Sequence, residues 1–86
     1  MTDAQIDVYA AQVQPLRDTY TAERDRLEAY AAAGVARDLR GLGGIHGDVI
    51  AWIESRWTTW LDARIKRLSD QYQRDSKRIF DEVTSA

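Results

Sequence analysis

The sequence predicts an all-α fold, an antiparallel hairpin of two long helices completed by oligomerisation or by a partner. Three observations carry that prediction. Apolar residues recur at steps of three and four in both halves of the chain. The one glycine cluster lies near the middle, from Gly41 to Gly47. The remaining composition, with five glycines and one proline among 86 residues, argues against both disorder and a turn-rich β fold.

The first helix is expected over about residues 3 to 40. Thr2 and Gln5 have the spacing of a capping box, which satisfies free amides at a helix start. The stripe that follows is Ile6, Tyr9, Val13, Leu16, Tyr20, a polar interruption at Glu23 and Arg24, then Leu27, Tyr30, Ala31 and Val35. It continues in phase past Pro15, so a kink near Gln12 to Gln14 is expected rather than a break into two helices. Gly41 to Gly47 supplies residues free to take positive φ and marks the connector. Asp48 is placed to cap the second helix, expected to run to about Thr84.

In that second helix Ile50, Trp57, Leu61, Ile65, Leu68, Tyr72, Ile79 and Val83 fall within a wedge of roughly 80°. Their steps add to eleven residues per three turns, close to an untwisted helix, which predicts a long and nearly straight pair. Two helices folded back on each other must pair residues whose numbers sum to a constant. Ile6 with Val83, Tyr9 with Ile79, Val13 with Ser76, Leu16 with Tyr72, Tyr20 with Leu68, Leu27 with Leu61 and Ala31 with Trp57 sum to 88 or 89. Small residues, Ala31 and Gly34, then face the tryptophan-rich end.

Length and composition bound the function. A chain this short makes one domain, residues 1–86, and buries too little surface to surround a large internal cavity. No cysteine is present, so neither disulfides nor thiolate metal sites are available, and association is the natural supplement to a small core. The net charge of −2 does not ask for nucleic acid. The N-terminus lacks the basic and apolar regions of a signal peptide, and no window has the run of about 18 apolar residues of a membrane span. A cytoplasmic protein is expected, and leaderless export is compatible with the same features.

Two constellations are candidates for partner binding. Trp52, Trp57 and Trp60 crowd the start of the second helix together with Ile53, more aromatic surface than an alanine-rich neighbour covers. Either all three are core, or Trp52 or Trp60 meets a second chain. Arg56, Arg67, Arg74 and Arg78 lie within about 40° of one another, a line that suits an acidic protein or, as a rival, nucleic acid. Asp62 before Lys66, Asp70 before Arg74 and Lys77 before Asp81 are spaced by four, as on a solvated, ion-paired face. Glu23 is expected to lie at the edge of the stripe and reach water, with a cross-helix pair to Arg64 as the alternative. His46 is the single histidine and reads as a turn residue, without companions for a metal or catalytic site. No catalytic, metal or cofactor residues are assigned, and neither an enzymatic activity nor a small-molecule substrate is expected.

The layout of two helices about a glycine-bearing turn resembles the WXG100 class of small type VII secretion substrates. The order Trp57, Leu61, Leu68, Tyr72, Asp75 is similar to such proteins as well. The resemblance implies a helical hairpin and export. The family's Trp-x-Gly belongs in the turn, where this chain has no tryptophan, and its export signal spaces tyrosine and acid by four, whereas Asp75 follows Tyr72 by three. The likeness covers the architecture, and export is an alternative to the main expectation of a non-enzymatic interaction or assembly module.

Overall fold

A computed structural model describes residues 1–42, 44 and 46–85. The chain folds into α1, Asp3–Arg40, and α2, Gly47–Ser85, packed antiparallel. Both boundaries lie within a residue of those expected. The capping box at the start of α1 is formed: the Gln5 amide donates to the Thr2 hydroxyl at 3.2 Å, and the Thr2 amide donates to the Gln5 side chain at 2.8 Å. The helix continues unbroken through Pro15. Pro15 and Ala11, whose carbonyl loses its usual donor to the proline, are both exposed, so water can replace the missing bond.

Two details of the connector differ from expectation. Gly41 ends α1 in a right-handed conformation, with φ −73°, its amide donating to the Arg37 carbonyl at 3.2 Å. No glycine among the described residues takes positive φ, and Gly43 and Ile45 lie outside them. The second helix starts one residue before Asp48, with the His46 carbonyl accepting from the Val49 and Ile50 amides at 3.0 Å each. Asp48 therefore sits in the first turn, where its charge favours the positive end of the helix, instead of capping it.

The pair spans 63 × 15 × 13 Å, a length close to that of a straight helix of 39 residues at about 1.5 Å each. Contacts run from the open end, where the Gln5 side-chain amide donates to the Val83 carbonyl at 3.3 Å, to the closed end, where the Trp57 indole donates to Asp38 at 2.8 Å. Tyr9 meets Phe80 edge-on at 5.9 Å, beside its expected partner Ile79. The ring of Tyr20 lies 5.3 Å from that of Tyr72, one turn from its expected partner Leu68. The expected register thus holds to within a helical turn.

The seam of α2 is buried or half-buried at Ile50, Ile53, Trp57, Leu61, Ile65, Leu68, Tyr72, Ser76, Ile79 and Val83, a pattern that repeats every eleven residues. Ile53 belongs to this seam, and with Val83 it is the best-buried residue of α2. In α1 the buried residues are Val13, Ala31 and Gly34. Ile6 and Tyr30, expected in the stripe, lie at its edges, 47% and 58% exposed. Four apolar side chains reach the buried range, Val13, Ala31, Ile53 and Val83, and no side chain among the described residues is completely enclosed. Two layers bury a seam but do not close a core.

Candidate interaction surface

The aromatic end of the hairpin is built on one glycine. A methyl group at Gly34 would overlap the six-membered ring of Trp57, so the absence of a side chain lets the indole lie flat against α1. From there its N–H donates to Asp38. That bond, followed by the charge of neighbouring Arg37, holds the Asp38 carboxyl below its ordinary pKa against the opposing effect of partial burial. The Arg37 guanidinium also lies 6.0 Å from the Trp57 ring centre. Trp57 is a seam residue, held against α1 by Gly34, Asp38 and Arg37.

The other two tryptophans stand differently. Trp60 is half-buried, 5.5 Å from Trp57 and 5.3 Å from Tyr30, and Arg64 stacks over it at 5.0 Å. Tyr30 also meets Trp57 edge-on at 5.9 Å. Trp52 is 60% exposed and carries Arg56 over its ring at 5.5 Å. Of the three, Trp57 completes the hairpin, Trp60 forms its edge, and Trp52 is left to solvent.

Tyr30, Trp57 and Trp60, with Leu27, form the floor of an open groove of about 530 Å³ whose rim is Arg26, Arg56 and Arg64. Arg26 is held by Glu23 at 2.9 Å, while Arg56 and Arg64 rest on aromatic faces. Tyr30, Arg26 and Arg64 are not among the partner-binding residues expected from the sequence. Tyr30 was legible only as a stripe position, although its number and that of Trp60 place the two nearly opposite. The alternative Glu23–Arg64 pair does not form. Arg26, three residues along the same helix, reaches Glu23 without crossing the seam, and the Trp60 face competes for Arg64.

The arginine line of α2 does not converge. Arg56 and Arg78 are separated by about 33 Å of helix rise. Arg78 pairs with Asp75 at 3.5 Å, and among the described residues Arg67 and Arg74 have no ion-pair partner. The lacing of this face is real but differs in its partners. Asp70 binds backward to Lys66 at 3.0 Å instead of forward to Arg74, and Lys77 stands 3.9 Å from Asp81.

Among the described residues no cluster of histidine and acidic side chains could hold a metal ion, and His46 is exposed. No helix is long and apolar enough to cross a membrane. What the arginine-rimmed aromatic groove offers is stacking, apolar contact and ion pairing. Comparison with known protein families, curated proteins and solved structures finds no match to this chain.

Proposed function

We propose that the protein is a non-enzymatic interaction module of the cytoplasm, a hairpin whose aromatic and arginine-lined side is covered by another chain, either its own copy or a protein partner. One observation carries the reading: Tyr30, Trp52 and the edge of Trp60 lie open on a molecule whose own two layers enclose none of the described side chains completely. Aromatic residues ringed by arginine are the side chains that most often anchor interfaces. Pairing of two such hairpins into a four-helix bundle gives each seam a second cover. The module serves as an assembly component, an inhibitor or an adaptor.

Light scattering of the purified chain, with co-purification from its native cell, tests this. The expected result is a complex that Trp60→Ala weakens by at least about 2 kcal/mol, the loss typical of an interface anchor. A folded monomer at every concentration that brings nothing with it from the cell would overturn the proposal.

A second reading uses Arg67 and Arg74, which have no acidic partner among the described residues, to hold nucleic-acid phosphates. The net charge of −2 and the spread of the stripe favour it less. Retention on heparin that disappears in Arg67→Glu with Arg74→Glu would support it. A WXG100-like secreted protein shares the hairpin layout alone, and an export assay decides that alternative.

A further inference from the structure

We infer that the occupant of the aromatic groove is a second copy of this chain, laid against the same side in the opposite direction, so that each turn lies beside the other copy's open end. The inference rests on the interaction-module reading and names its partner.

The grooved side runs the whole length of the molecule. On α1 the residues lining it, from Gln5, Val8 and Gln12 through Thr19 and Glu23 to Arg26 and Tyr30, follow steps of three, four or seven and so share one face. On α2 the matching line is Trp60, Arg64, Leu68, Gln71, Asp75 and Glu82. The space between them is open at the turn end, at mid-length and again beside Val8, which is 46% exposed. A rod of the hairpin's own length matches that shape.

Charge then selects the direction. Toward the turn this side carries Arg26, Arg56 and Arg64, with Glu23 paired to Arg26, and toward the open end it carries Asp75, which Arg78 already pairs, and Glu82. Glu82 has no ion-pair partner among the described residues. A parallel copy would set arginine against arginine, whereas a reversed copy sets the arginines against the acids. The levels agree as well. Lys66 is the middle residue of α2, with Arg56 ten positions before it and Asp75 nine after, about 15 and 14 Å along the axis. A two-fold axis at that level brings each Arg56 beside the other copy's Asp75. In the register of 88 to 89 it also brings Tyr30 to the level of Gln14 to Leu16, and Leu16 lines the groove at mid-length. Such a contact is isologous and stops at two copies.

The absence of cysteine permits a direct test. Gly44→Cys, at the turn, is spin-labelled and the distance between labels on two intact chains is measured by pulsed electron resonance. A distance near the 63 Å length is expected, and one near the 15 Å width, as in a parallel pair, overturns the proposal. In a second arm, Arg26→Glu with Arg56→Glu and Arg64→Glu makes the whole side acidic, and Asp75→Arg with Glu82→Arg makes it basic. Each variant alone should dimerise at least tenfold more weakly while keeping its helical circular dichroism, and an equimolar mixture should recover the dimer. Failure of the mixture to associate or growth beyond two copies would each sink it. A wild-type monomer also overturns self-pairing. The interaction-module reading then survives if a different protein co-purifies and is lost on arginine reversal, and falls with it if nothing does.

Discussion

Gly34 presents no side chain where the Trp57 ring packs against α1, and two effects oppose each other there. Alanine would gain roughly 1 kcal/mol of helix propensity over glycine. It would also force the indole off Gly34 and strain its bond to Asp38, and overpacking of this kind costs about 1 to 3 kcal/mol. The collision wins, and Gly34→Ala should melt below the wild type. Ser76 presents the opposite case. Its hydroxyl oxygen is buried in the seam without a hydrogen-bond partner, so Ser76→Ala should stabilise the hairpin by about 1 kcal/mol, read from denaturant titration. Asp38 links the same end of the molecule to pH. Because its folded pKa is depressed, the stability it contributes is present above the usual aspartate range and is lost as pH falls through the lowered value. Asp38→Asn can still accept the indole proton but has no charge to lose. Its melting temperature should therefore fall less steeply than the wild type's as pH drops below about 4.

Between residue and whole molecule stands the helix, and α1 is the one under local stress. Pro15 interrupts its hydrogen-bond ladder on an exposed face, where no packing depends on the ring. Pro15→Ala should raise stability by up to about 3 kcal/mol, measured by thermal melting. Element ends were legible because local chemistry writes them. The Thr2–Gln5 box and the glycines after Arg40 act within a few residues of where they stand. The seam of α2 was legible for a similar reason, its eleven-residue repeat needing no knowledge of the partner. The edges were not. Projecting α1 on a wheel puts Ile6 within about 20° of Val13, yet the line along which α2 lies against α1 leaves Ile6 exposed, whereas Tyr30 falls about 100° from Val13, at the edge of the stripe on the wheel as well. Arg64 shows the same limit, since its partner was set by a ring one turn away and by Arg26 reaching Glu23 first. Tyr30 and Arg26 became part of the groove only once the two helices were side by side.

As a whole, the molecule is a rod 63 Å long and about 15 Å wide, and its shape governs its energetics. Every seam residue has a neighbour on one side and water close by on the other, which is why, among the described apolar side chains, Val13, Ala31, Ile53 and Val83 alone reach the buried range. A second layer of helices would remove the groove side of Tyr30 and Trp60 from water, and burying a large side chain contributes on the order of 2 to 3 kcal/mol. That is a large fraction of the stability available to a single domain of this size. Association and folding are then coupled by mass action, and the folded state gains as concentration rises. The decisive measurement is the melting temperature of the unmodified chain, followed by circular dichroism from micromolar to hundreds of micromolar protein. A steady rise with concentration is predicted, and a melting temperature that stays constant over that range would contradict the hairpin as half of a self-paired bundle.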